Sequence, residues 1–368
     1  MNSETIPEGE KKRLEKVGYD TSGKLSRSAS FLMSDNRTLL SEKKEKKLEI
    51  LSTELAVEKY PWVKDLMFKL VSKDKDDYTR LAASSPPRGF FLRVLPGAKI
   101  NIPVQSCFFI KTKRLSQVVH NIIVAEPESE VHIITGCTTA SYVKQGSHIG
   151  ITEFYVRENA TLTYTMLHDW APEVVVYPRS SALVEKNGVF ISNYIALTRV
   201  KEINSYPEAH VKDGGIARFY SIIYAQDESF FDIGAATFLE EKGARGEIIN
   251  RVVSSGGRVV SRGHILGAAK DTKGHMECSG LLLNKKGMIH AIPELKGIFP
   301  ETELSHEAAV GKIADEEINY LMTRGIDKDT AVSLIVRGFL DTKIKGLPPQ
   351  LQKLIAGIIE KSSLGGRI

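Results

Sequence analysis

The stretch "EKNGVFISNYIALTRVKEINSYPEAHVKDGGIARFYSIIYA", residues 185–225, decides the fold. It contains two short turns, "EKNG" and "KDGG", each followed by a run of apolar and β-branched residues. Such runs, bounded by Gly, Asn and Asp, read as strands. The same phrase recurs on both sides. Turns "RENA", "EKNG", "KDGG", "EEKG", "SSGG", "DTKG" and "NKKG" end at Ala160, Gly188, Gly215, Gly243, Gly257, Gly274 and Gly287. The successive gaps are 28, 27, 28, 14, 17 and 13 residues. They cluster near one unit and its double, which signals a repeated supersecondary unit stacked on its neighbours. A β-sandwich would place strands every 8–12 residues, with no reason for a near-constant 28. The spacing predicts a parallel β-helix with its turns stacked at one edge.

Working outward, strand-like runs such as "VHIIT", "ITEFYV" and "EIINRVV" fill residues 92–303. Before them, residues 1–91 read as a helical, polar region with a poorly ordered, Ser-rich stretch at 20–37. Leu48, Leu51 and Leu55 recur at helical steps, as do Trp62, Leu66 and Leu70. Pro61 should separate two helices, because it lacks an amide donor and suits a first turn. Lys43–Lys47 reads as a solvated helix face. "SSPPRGFF", residues 84–91, is a linker. Residues 304–368 turn helical again. Acids open "DEEINYLMTRG" and Gly325 closes it. In "DKDTAVSLIVRGFL" Val332, Ile335, Val336 and Phe339 line one helix face. That stripe is either core of its own domain or a docking surface. A third helix is expected near Pro349.

With 368 residues, two or three domains are expected. A composition 42% hydrophobic and 26% charged supports a packed core. Fifty basic residues against 45 acidic ones give +5, which is no argument for nucleic acid. No apolar run approaches the ~18 residues of a membrane span. The N-terminus has no apolar signal region, and Glu4, Glu8 and Glu10 argue against an organellar transit peptide. Three cysteines, Cys107, Cys137 and Cys278, suit a reducing cytosol.

Three segments carry a resemblance. "SHEAAVGKIADEEINYLMTRGI" (305–326) looks like the C-terminal signature of the SufB/SufD family, scaffold components of SUF iron–sulfur cluster assembly. "VHIITGCTTASY" (131–142) and "MECSGLLLNKKGMIHAIPELKG" (276–297) resemble two further family segments. The resemblance implies a mainly β chain, a right-handed parallel β-helix flanked by helical domains. It implies pairing through the β-helix, as a homodimer or with a SufB-like chain. It also implies binding of the SufC-type ABC ATPase through the C-terminal helical domain, with Ile318, Leu321, Met322, Val332, Ile335, Val336 and Phe339 as contacts. The nascent cluster would be transient and passed to apo-proteins. Neither enzyme activity nor nucleotide binding is expected of this chain: "GARGEII" is too short for a phosphate loop and lacks its lysine. The expected location is cytoplasmic, with no membrane or nucleic-acid partner.

Candidate cluster ligands are His306 and Glu307, with Cys278 a weaker candidate; His290 is a weak candidate metal ligand. Iron–sulfur clusters take thiolate or imidazole, and carboxylates transiently. Adjacent strand residues point to opposite faces, so His306 and Glu307 share an ion only if the strand ends there. Otherwise the pair only bridges the β-helix to the first C-terminal helix. His275 lies three residues before Cys278 but should face away from it; Cys278, Cys137 and Cys107 have the bland reading of core thiols. SufB-type members carry a sulfur-receiving cysteine where this chain has Gly287, whereas His306-Glu307 is the SufB-like form of its pair. A SUF subunit that holds no cluster is therefore an alternative, and a polysaccharide-active β-helix protein is a more distant one.

Overall fold

The computed structural model describes residues 7–23 and 26–340. Two ten-stranded sheets face each other, and the chain passes back and forth between them. Glu130–Thr139 lies in the first sheet, Gln145–Val156 in the second, and Thr161–Asp169 in the first again. The result is a parallel β-solenoid of about eight turns with helices near both ends. Every strand pairing from Val104–Ile110 to Glu303–Lys312 along the first sheet is parallel.

One turn ladder explains the 28-residue period. Gly97, Glu128, Asn159, Asn187, Gly214, Gly243 and Asp271 all have φ between 54° and 70°. Gly, Asn and Asp tolerate this left-handed region best. Each turn also donates to the next: Asn159 N–H to Lys186 O at 2.9 Å, Asn187 N–H to Asp213 O at 2.8 Å, Gly214 N–H to Lys242 O at 2.9 Å. One full circuit of the solenoid is therefore about 28 residues, and half a circuit crosses to the other sheet. The expectation of a single edge needs correcting. Ala160, Gly188 and Gly215 stack in register, Gly243 continues the ladder from Gly214, and Gly274 lies just past the ladder's Asp271, inside Lys273–Leu282; Gly257 and Gly287, by contrast, precede strands of the second sheet.

The N-terminal region is not simply helical. Glu8–Lys16, Thr53–Lys59, Pro61–Leu66 and Asp77–Ser84 are helices, and the break at Pro61 is where the sequence placed it. Between them Ala29–Ser34, Arg37–Lys43 and Leu48–Ser52 are strands. Ala29–Ser34 falls within the stretch read as poorly ordered. It pairs in parallel with Val104–Ile110 and buries Phe31 and Met33. Tertiary pairing with an otherwise open sheet edge outweighs the polar local composition. Leu48 and Leu51 belong to a strand, in which Leu48 and Ile50 are the buried pair. Lys43–Lys47 is solvated, at a strand end rather than on a helix.

The helices from Thr53 to Ser84 strap the outer face of the second sheet, with Ala56, Val63 and Leu66 packed against Phe91, Ile122 and Tyr155. One buried carboxylate fixes the strap. Glu153 accepts the backbone N–H of Phe68 (2.7 Å), Leu70 (2.6 Å) and Val71 (3.2 Å), and lies 2.7 Å from His120 Nε2. At the other end the solenoid continues beyond residue 303, because Glu303–Lys312 is its last strand in the first sheet. Helices Asp315–Thr323 and Lys328–Leu340 follow; the helix expected near Pro349 lies outside the described residues.

Candidate functional site

The last strand places the His-Glu pair. Glu303–Lys312 runs parallel to Lys273–Leu282, with Met276 opposite His306, Glu277 opposite Glu307 and Cys278 opposite Ala308. Met276 and Cys278 are buried in the lumen, while Glu277 and Ser279 face outward. His306 therefore points inward and Glu307 outward, where it is exposed. The strand does not end at the pair but continues to Lys312, so the two side chains do not share an ion. His306 is half-buried, and its Nε2 is enclosed with no hydrogen-bond partner.

Cys278 shares the inner face with His306, one strand over and two residues along. Burial pushes its thiol up, against hydrogen bonds with Ser261 and Asn250. His290 is elsewhere: it is exposed on the outer face of the second sheet, opposite Val260. That register sets it apart from His306 and Cys278. His275 faces outward, with Nδ1 2.9 Å from Ser305 Oγ. Cys107 and Cys137 are buried core thiols, both pushed up by burial. A side chain at Gly287 would be crowded, since its Cβ would lie 2.4 Å from Ser254 Oγ. Among the described residues no three His, Cys, Asp or Glu side chains are grouped to hold a metal.

The C-terminal stripe turns inward. Val336 is 1% exposed, and Ala331, Leu340 and Ile318 are buried with it against the solenoid. Phe339 lies under the Arg251 guanidinium at 5.6 Å. Val332, Ile335 and Leu321 are half-buried. Of the expected contacts only Met322 is exposed, at 44%, and it is joined by Tyr320 and Leu334. The opposite helix face is thus the free one, because the sheet's outer surface needed the Val336 stripe for cover.

Two further features bear on the site. First, among the described residues, the solenoid ends open. Met288–Gly297 and Glu303–Lys312 are each the terminal strand of their sheet. Around them Met288, Leu295, Ile298, Phe299 and Val310 are exposed. The alternation "MIHAIPEL" gave a signal for the strand but not for its being the last. Second, a chamber of about 40 Å³ lies inside the earlier turns, lined by His148, His168, Tyr164, Tyr194, Asn121 and Thr152 among others. His148 Nδ1 is 2.9 Å from Gln117 Oε1, and His168 Nδ1 is 3.1 Å from the Tyr194 hydroxyl. Burial lowers both imidazoles to about 3, so they are neutral. Among the described residues no helix is long and apolar enough to cross a membrane.

Residues 108–339 match the family model for the SufBD core domain of SUF system FeS cluster assembly. The chain is 47% identical over 351 residues to an iron–sulfur cluster assembly SufBD family protein of Archaeoglobus fulgidus, covering 95% of this chain and 94% of that one. It is 40% identical over 366 residues to a SufBD family protein of Methanothermobacter thermautotrophicus, covering 98% and 89%. The iron–sulfur cluster assembly protein SufB of Bacillus subtilis is 28% identical over 286 residues, covering 76% and 61%. A stacked parallel solenoid, the His-Glu signature in its last strand and a match across nearly the whole chain make one conclusion: this protein belongs to the SufBD family of the SUF iron–sulfur cluster assembly system.

Proposed function

We propose that this chain is a scaffold subunit that pairs through the open end of its solenoid and contributes His306 to a nascent iron–sulfur cluster. The observation that carries this is the inward His306, whose Nε2 is enclosed and unpartnered in the terminal strand. An unpaired imidazole nitrogen is costly unless something binds it. One imidazole cannot hold a cluster, so further ligands come from Cys278 and from a second chain, either another copy or a SufB-like sister. Unpaired edge strands flanked by exposed Ile298 and Phe299 suit such pairing. The SufC-type ATPase docks on the C-terminal helices by the face bearing Tyr320, Met322 and Leu334. Nucleotide hydrolysis belongs to that partner, the complex works in the cytoplasm, and the cluster passes to apo-proteins.

A second reading, a SUF subunit that holds no cluster, is favoured by Gly287, the position at which the resemblance to SufB-type members places a sulfur-receiving cysteine. Co-expression with the ATPase, with and without a SufB-like sister, followed by iron and sulfide analysis, separates the two. His306→Ala should lower cluster yield with folding, pairing and ATPase binding intact. Unchanged yield with intact folding would leave the purely structural reading.

A further inference from the structure

Three soft donors share the inner face of the last two turns. Met276 and Cys278 are buried two residues apart in Lys273–Leu282. His306 stands opposite Met276 in the terminal strand and diagonally from Cys278. In-register neighbours hold their Cβ atoms about 5 Å apart and diagonal ones about 7 Å, so side chains of this length are within reach of one another. We infer that Met276, Cys278 and His306 form a single-chain site for a soft monovalent metal ion of the Cu(I) class.

Four observations carry it. The imidazole Nε2 of His306 is enclosed without a partner. The Met276 thioether reaches across the lumen to the second sheet: a Cβ on Gly263 would lie 2.4 Å from its Sδ, so only glycine leaves the sulfur room there. Cys278 leans the same way, toward Ser261 on the same strand. The inner positions around the three, Gly274, Gly280, Leu304, Ala308 and Val310, carry no charge.

The charge balance selects the ion. Binding replaces the Cys278 S–H bond with a metal–sulfur bond and releases the proton to solvent, with no change of oxidation state. A monovalent ion and one thiolate then sum to zero. A divalent ion would leave a positive charge that no carboxylate at the neighbouring inner positions balances, which is expensive. Thioether, thiolate and imidazole are also the donor set that favours Cu(I) over harder ions. The site shares His306 and Cys278 with the cluster reading but needs no second chain.

The test uses the full-length apo-protein, reduced and anaerobic, titrated with Cu(I) against a chromophoric chelator, with Fe(II) and Zn(II) in parallel. One Cu(I) should bind, with X-ray absorption showing two sulfur ligands and one nitrogen ligand. Met276→Leu should weaken binding about tenfold or more, and Cys278→Ser should abolish it. Cys107→Ser and Cys137→Ser should leave it unchanged. Failure of the wild type to compete for Cu(I), a spectrum without the second sulfur, or full binding by Met276→Leu would overturn the inference. The absorption spectrum is read on the wild type, so a variant that fails to fold does not block the test. Loss of cluster yield in His306→Ala without any Cu(I) binding would sink this site and spare the scaffold reading. Cu(I) binding with an unchanged cluster yield would do the reverse.

Discussion

Acid should unfold this protein through the imidazoles inside its solenoid. His148 and His168 are buried, and burial lowers each from 6.5 to about 3. Neither faces a carboxylate in its hydrogen bond: one meets an amide oxygen, the other a phenol. The folded-state values lie below the unfolded ones, so the unfolded chain takes up protons first as pH falls. Their contribution to stability is therefore complete above about pH 6.5 and is lost progressively below it, toward pH 3. Each imidazole costs about 1.4 kcal/mol per pH unit across that window. Between about pH 6.5 and pH 5 that is about 2 kcal/mol each and about 4 kcal/mol for the pair. His132, lowered to about 4 chiefly by burial, adds a similar loss. Guanidinium titrations followed by circular dichroism at several pH values give the dependence. His148→Gln and His168→Gln should each flatten it by about 2 kcal/mol over that range, whatever they do to stability at neutral pH. A pH dependence identical in wild type and both variants would show that these imidazoles are already solvated or compensated, and would refute the reasoning.

Other outcomes follow from the strap, the open end and the helices. Glu153→Gln removes the charge from an acceptor of three backbone N–H groups; it should cost about 2–4 kcal/mol in denaturant titrations, against under 0.5 if the strap is held by packing alone. Gly287→Cys sets a Cβ 2.4 Å from Ser254 Oγ; it should lower stability by about 1–3 kcal/mol, and Ser254→Gly in the same chain should restore most of it, as seen in thermal melts. Ile298→Asp should turn a pairing chain into a monomer in sedimentation analysis, and a persistent dimer would move the interface away from the open end. Tyr320→Asp with Met322→Asp should abolish ATPase co-purification with the melt unchanged, whereas Val336→Asp should unfold the helix pair and say nothing about docking.

The solenoid was legible because its period is written in turn residues. Asn159, Asn187, Gly214 and Gly243 must all adopt φ > 0, and few residue types do so cheaply. Strand alternation also set His275 and Cys278 on opposite faces. What stayed hidden depended on which strand lies next to which. His306 and Glu307 are adjacent in sequence, and only the continuation of their strand to Lys312 separates their roles. Ala29–Ser34 sits in a Ser-rich stretch, and the strand it joins in parallel lies about 75 residues away, beyond any local pattern. His148 and His168 enter one chamber from opposite sheets, a meeting that no local spacing records. The stripe on Lys328–Leu340 was visible, but periodicity cannot say whether a partner or the chain's own sheet covers it.

The Glu153 anchorage makes the molecule unequal along its length. Early turns are bound on their outer face by the strap, and strand Ala29–Ser34 closes their sheet edge. Among the described residues the terminal strands, by contrast, have one neighbour each and are mostly exposed. In a stack where each turn contacts only those beside it, opening begins at the less supported end and moves inward turn by turn. Amide hydrogen exchange should therefore fall off as a gradient, fastest at Met288–Gly297 and Glu303–Lys312 and slowest around Gln145–Val156. The strand carrying His306 would exchange most readily in the isolated chain and gain protection when another strand pairs with it.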